Sequence, residues 1–269
     1  VSEHYLPSGL DSRVPKNLYS ISLSLSDKLD TLVGFFGINL IPTSSKDPYA
    51  LRRYAIALVR LIIENKIKIK LRSIINYSLT LYKEQGFEFN ITNVLKDLNN
   101  FLLDRLKYYS KDKDIRQDII ESSILSNDID EIYNGYKKAE ILNRNIKKNL
   151  GQNVVGIYKR SFNILNSEIK KDEIQLSNTV DIGLFKNDFE KNLYKKIQEI
   201  KKYFLNVGKH EDFELSLKEL CNFRQEVDLF FDNVIVNDEN HVIKKNRLEL
   251  LNLLCKSFDN FFNFSKIEG

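Results

Sequence analysis

Two short constellations in this sequence carry side chains that could do chemistry. In Ser26-Asp27-Lys28-Leu29-Asp30, two carboxylates stand three residues apart. On a helix that spacing puts both on roughly one side, where they could hold a divalent cation. Such a site needs more ligands, usually including histidine. His4, His210 and His241 are far apart and have no ligand spacing, so each reads as a surface or capping residue. Caps and surface ion pairs with Lys28 or Arg13 account for the same two carboxylates. The second constellation is Tyr158-Lys159-Arg160-Ser161-Phe162-Asn163-Ile164-Leu165. Arg160 and Asn163 share a helix face, and a guanidinium beside an amide suits hydrogen bonding to phosphates or to the edges of unstacked bases. Tyr158, Phe162 and Leu165 line another side, and a merely solvated helix face fits the same residues. No Gly-rich phosphate loop, HExxH or CxxC pair is present. Cys221 and Cys255 have no metal-ligand spacing and read as core thiols in a reducing cytoplasm.

Charge sharpens the second constellation more than the first. The net charge of +4, from 41 basic and 37 acidic side chains, is too small to imply a polyanionic partner. Its distribution is uneven. Between Leu51 and Arg72, Arg52, Arg53, Arg60, Lys66, Lys68, Lys70 and Arg72 face the single acid Glu64. Between Lys137 and Lys171, nine basic residues, Lys159 and Arg160 among them, face only Glu140 and Glu168. Clusters of this kind can neutralise a phosphate backbone. Lysine is also abundant throughout, so part of this clustering is ordinary surface composition.

The elements that must position these residues are helical. All four prolines lie in the first 48 residues, and none follows Tyr49, which permits a long helical array. Apolar residues recur at helical steps in Phe185, Phe189, Leu193, Ile197, Ile200 and Phe204, in Leu248, Leu251, Cys255, Phe258 and Phe262, and in Ile56, Val59, Ile63 and Ile67. Helices are predicted at about 18–36, 48–66, 70–85, 91–110, 112–125, 128–149, 152–169, 184–206, 211–233 and 241–263. Pro48 is expected in the first turn of the second helix, with Asp47 as its N-cap. Residues 171–183 read as a linker and 233–240 as a loop. With 42% apolar and 29% charged residues, the chain can bury a core. No run of 18 apolar residues could span a bilayer, and residues 1–16 lack a secretion signal. The start at Val1 rather than Met reads as part of something longer.

Several strings, taken in order, resemble one family. They are Glu3-His4-Tyr5-Leu6-Pro7, then Ser26-Asp27-Lys28-Leu29-Asp30-Thr31-Leu32-Val33-Gly34-Phe35-Phe36-Gly37, then Lys46-Asp47-Pro48-Tyr49-Ala50-Leu51-Arg52-Arg53. Downstream come the Tyr158–Leu165 string, Phe230-Phe231-Asp232-Asn233-Val234-Ile235-Val236, Asn246-Arg247-Leu248-Glu249-Leu250-Leu251 and Phe264-Ser265-Lys266-Ile267. Together they are similar to the C-terminal part of the beta subunit of the bacterial heterotetrameric glycyl-tRNA synthetase. Ile235 and Asn237 stand where that family leads one to expect methionine, and the chain has no Met at all.

The resemblance implies an all-α chain, a helical array followed by a helical-bundle anticodon-binding domain of the arginyl-tRNA-synthetase type. It implies three segments: 1–40 as the end of an HD-like helical domain, 41–150 as a helical body, and 151–269 as the anticodon-binding domain. It also implies an enzyme, glycine–tRNA ligase, that joins glycine to tRNA(Gly) using ATP and Mg, in the cytoplasm and without a membrane. The alpha subunit of an α2β2 tetramer would carry the chemistry. This chain would be non-catalytic, would hold no cofactor or metal of its own, and would grip tRNA. Lys159, Arg160, Asn163 and Arg247 would face the anticodon arm, and Arg52 and Arg53 would touch the RNA backbone. Asn163 and Arg247 could instead be packed between helices. Two other readings stand beside this one: a helical scaffold that docks the alpha subunit, and an HD-like metal phosphohydrolase fragment using Asp27.

Overall fold

The computed structural model describes residues 3–43, 45–124, 130–207 and 212–268. Among these there is no strand. Eleven α-helices follow one another: α1 Leu18–Gly37, α2 Leu51–Glu64, α3 Leu71–Glu84, α4 Ile91–Asp112, α5 Gln117–Ser123, α6 Ile132–Asn145, α7 Asn149–Asp172, α8 Asp188–Val207, α9 Phe213–Cys221, α10 Arg224–Asn233 and α11 His241–Asp259. His210 lies outside the described residues. Among the described residues no helix is long and apolar enough to cross a membrane.

The chain forms two compact units, residues 1–120 with 126–137, and residues 121–125 with 138–269. Three segments were expected. The boundary at 40/41 falls inside the first unit, because α1 packs on α2, α3 and α4 rather than standing apart.

In the first unit α2 is the central helix. Residues 55–63 are all buried, and they include Arg60. Its start differs from the prediction. The N-cap position is Ala50 and not Asp47, although the Asp47 carboxylate still accepts from Leu51 N–H at 2.8 Å and Arg52 N–H at 3.0 Å. Pro48 is not in the helix either, because Ala50 turns left-handed (φ 56°) and delays the first helical residue to Leu51. Against α2 lie the apolar faces of α1 (Leu29, Leu32, Val33, Phe36) and α4 (Leu98, Leu102, Leu106), all buried. At its end α1 runs close under α3 and the turn after it. A Cβ on Gly34 would meet the Tyr82 hydroxyl, and one on Gly37 would meet the Phe89 ring.

In the second unit α11 is the central helix, with 13 of its 19 residues buried. Tyr158 of α7 packs on Phe258 of α11 and on Phe264, with ring centroids 6.0 and 5.7 Å apart. Phe223 and Phe262 complete an aromatic centre. The predicted stripe on α8 holds in its middle, with Leu193, Ile197 and Ile200 buried and Phe189 and Phe204 half-buried, while Phe185 lies before the helix. The predicted helix 211–233 is two helices, α9 and α10, broken at Asn222–Phe223. Phe223 is fully buried there. Both cysteines are free, and burial pushes the Cys255 thiol well up, which keeps it protonated and inert.

Candidate nucleic-acid interface

The α7 helix presents a continuous solvent face. Gln152, Gly156, Arg160, Asn163, Ser167 and Lys170 are all exposed. They recur at steps of four, four, three, four and three, the repeat of one helix face. The opposite face, Val154, Ile157, Tyr158, Ser161 and Leu165, is buried. One amphipathic pattern therefore fixes both the core contact and the outward stripe.

Arg160 sits where this face meets α10. Its guanidinium lies over the Phe231 ring, 4.4 Å from the centroid. It also contacts Asp228 at 3.3 Å and Asp232 at 3.9 Å. Arg224 approaches the same Asp228 at 2.5 Å and donates to the Asn153 side chain at 3.2 Å. The Arg160 side chain is 45% exposed, and exposed ion pairs of this kind contribute about 0–1 kcal/mol. Arg160 is thus held over the ring without being locked away. Lys159 is half-buried and Asn163 exposed, and neither makes an ion pair or side-chain hydrogen bond among the described residues. The surface is less cationic than the sequence suggests, since Asp228 and Asp232 come from a helix about 70 residues downstream.

Arg247 does not belong to this surface. It is 6% exposed. Its Nε donates to Glu190 at 2.7 Å, and its Nη1 to Asp238 at 2.7 Å and to the Ile235 carbonyl at 2.8 Å. Glu190, with no exposure at all, is already the reciprocal cap of α8. Its carboxylate accepts from the N–H groups of Lys186 (2.6 Å) and Asn187 (3.1 Å), while the Asn187 side chain accepts from Glu190 N–H (3.1 Å). The expectation that Arg247 faces RNA is therefore corrected. The guanidinium ties α11 to the start of α8 and to the 234–240 loop.

Neighbouring polar residues of α11 do similar work. Asn246 accepts from Asp181 N–H (2.8 Å) and donates to Asp181 O (2.9 Å). Glu249 accepts from Asn178 N–H (2.9 Å), from the Ser177 hydroxyl (2.8 Å) and from Ser177 N–H. Lys244 pairs with Glu168 at 2.5 Å and Asp172 at 2.6 Å, which holds the Asp172 carboxyl below its ordinary range. A hydrogen bond from the Asn240 backbone, then Arg247, lowers Asp238 in the same way.

The first unit separates its predicted residues. Arg52 is half-buried and folded onto the Thr43 carbonyl, with Asp47 at 3.9 Å. Arg60 is spent internally on Glu64 (2.7 Å) and the Gly9 carbonyl. Arg53 is exposed. Asp27 and Asp30 do not converge. Asp30 accepts from Ser78 (3.1 Å) and Tyr82 (3.3 Å) of α3, while Asp27 faces a cleft with His4 and Arg53. Among the described residues no three His, Cys, Asp or Glu side chains are grouped to hold a metal ion.

Residues 155–268 match the DALR anticodon binding domain, and residues 1–125 match the glycyl-tRNA synthetase beta subunit family. Together these matches take in most of the chain, and they make it similar to glycyl-tRNA synthetase beta subunits. It is 34% identical over 269 residues to the glycine–tRNA ligase beta subunit of Rickettsia typhi and 33% identical over 268 residues to that of Rickettsia prowazekii. Each match takes in 99% of this chain and 38% of the relative. The chain thus spans well under half the length of these curated beta subunits. Apart from Gln152 and Asn153, the α7–α10 face falls within the segment that matches the anticodon binding domain.

The residues that sequence reading missed are on α10. Arg224, Asp228 and Asp232 repeat at i, i+4, i+8. That spacing alone marks a charged helix face, and the preceding break at Phe223 decides that it turns toward α7.

Proposed function

We propose that the α7–α10 face is the tRNA-contacting surface of this beta-subunit chain and receives the anticodon arm. One observation carries this: a partly exposed arginine, Arg160, lies over the Phe231 ring in the middle of an unbroken solvent-exposed helix face. An anticodon loop offers splayed bases and closely spaced phosphates, which proteins take up by stacking, edge hydrogen bonds and Lys or Arg contacts. Arg160 and Phe231 supply the stack. Asn163 and Gln152 supply amides, and Lys159, Arg224 and Lys170 supply charge.

Gly156 supports the same reading. It lies mid-helix, where glycine costs about 1 kcal/mol relative to alanine. Yet a Cβ there would meet nothing within 4 Å. Internal packing gives no reason for it, whereas close approach of an external group does.

In the whole enzyme, on this reading, glycine is joined to tRNA(Gly) with ATP and Mg in the cytoplasm. The chemistry would take place on the alpha subunit of an α2β2 tetramer, and this region would hold the RNA without holding a cofactor.

The test is tRNA affinity measured against salt for the wild type and for Lys159→Ala with Arg160→Ala. The pair should weaken binding and reduce the magnitude of the log–log salt slope by about 1 to 2. Unchanged affinity in the double variant would remove this face from the interface, and a wild type without a salt slope would remove the electrostatic argument altogether.

A further inference from the structure

The first unit holds a second place where an anion fits. A cleft of about 260 Å³ opens between the 4–8 segment, α1 and α2, lined by His4, Tyr5, Asp27, Lys28, Arg53 and Tyr54 among others. Its distinguishing member is Lys28, only 3% exposed. The ammonium donates to Ser24 Oγ at 2.9 Å and to the His4 carbonyl at 3.1 Å, both neutral oxygens. It makes no ion pair among the described residues, and the Tyr54 ring centroid lies 6.0 Å away. An ammonium carries three protons, so one is left without an acceptor. A buried cation held only by neutral groups is costly unless a counter-charge completes it. Burial lowers the Lys28 pKa, and Asp27 partly opposes this. At the rim Arg53 is exposed and likewise unpaired among the described residues.

We propose that this cleft binds one phosphate group, with Lys28 supplying the buried charge at its wall and Arg53 closing on it from the rim. Size favours a single oxyanion over a whole nucleotide, because pockets for drug-sized molecules begin at about 300 Å³. Ammonium and guanidinium donors together are the ordinary phosphate receptor. Asp27 opposes the anion and keeps its affinity modest. The phosphate comes either from an RNA backbone, as a diester, or from solution, as inorganic phosphate or a monoester. The inference stands apart from the α7–α10 reading, since it uses residues of the other unit.

The experiment is calorimetric titration of the intact chain with inorganic phosphate at constant ionic strength. It compares the wild type with Arg53→Ala, Asp27→Asn, Lys28→Met and, as a control away from the cleft, Lys83→Ala. Saturable binding is expected. Arg53→Ala should weaken it about tenfold, the loss of one charge-assisted contact. Asp27→Asn should tighten it, and Lys83→Ala should leave it unchanged. Should Lys28→Met fail to fold, the opposite effects at Arg53 and Asp27 still decide. No saturable binding, or Arg53 and Asp27 variants indistinguishable from the control, would overturn the proposal. Competition against tRNA then separates the sources. Inhibition of tRNA binding by phosphate in the wild type but not in Arg53→Ala points to the backbone. Phosphate binding that leaves tRNA affinity untouched points to a free phosphate.

Discussion

Replacing Arg247 by methionine separates an internal tie from an RNA contact. Methionine keeps much of the side-chain volume and removes only the guanidinium. Glu190 then keeps its two backbone donors from Lys186 and Asn187 but loses its counter-charge while fully buried. Breaking a buried pair on one side costs about 3–5 kcal/mol. The two retained donors place this case near the lower end. The Ile235 carbonyl, bonded to Nη1 at 2.8 Å, adds about 1 kcal/mol. The expected loss is therefore about 4 kcal/mol. Urea unfolding followed by near-ultraviolet circular dichroism measures it, fitted with two transitions because the chain holds two compact units. Adding Glu190→Gln should recover part of the loss, since a neutral amide needs no counter-charge. Affinity for tRNA, measured well below the melting temperature, should be unchanged. A loss below about 1 kcal/mol, within the range of exposed pairs, combined with weakened tRNA binding, would refute the burial argument and return Arg247 to the surface.

Other substitutions test the remaining parts. Gly156→Ala should stabilise the second unit by up to about 1 kcal/mol while weakening tRNA binding, a combination seen by pairing thermal melts with binding titrations. Gly151→Ala should do the reverse of that stabilisation. Its Cβ would fall 2.4 Å from the Asn145 carbonyl oxygen, which is backbone and cannot move aside, so a loss of about 2 kcal/mol is expected in the same melts. Phe231→Ala should leave Arg160 without its platform, lowering tRNA affinity more than stability. Asp172 and Asp238 have carboxyl pKa values depressed in the fold. Their contribution is complete above the unfolded carboxylate value of about 3.9, and it is lost as pH falls through the lower folded value. Asp172→Asn with Asp238→Asn should therefore flatten the acid limb of a stability–pH curve and leave its neutral limb at a lower plateau.

What sequence reading found, and what it missed, follows from the range of the interactions. The apolar stripes of α2, α8 and α11 depend on spacing within one helix, so they were legible. The α7 face was legible for the same reason, because burying Tyr158 and Leu165 forces Arg160 and Asn163 outward. Arg247 was not legible as an internal residue. Its partner Glu190 lies 57 positions away, and nothing local to Asn246-Arg247 distinguishes a buried guanidinium from a free one. Asp27 and Asp30 share a helix side by spacing, yet α3 takes one and the 4–8 segment borders the other. The delayed start of α2 turned on the left-handed residue Ala50, which has no side-chain signature.

The clamp that α11 places on the 177–181 stretch has a consequence for how that stretch can vary. Asn246 and Glu249 reach mainly the main chain there, the amides of Ser177, Asn178 and Asp181 and one carbonyl. The grip itself therefore asks little of the side chains at Thr179 and Val180, whereas Asn178 is held by its left-handed backbone (φ 63°) and by the Asn252 amide on its side chain, and proline at any of the three gripped positions removes the amide. Homologous chains should diverge first at positions 179 and 180 of this connector and agree in keeping it imino-acid-free at the gripped ones.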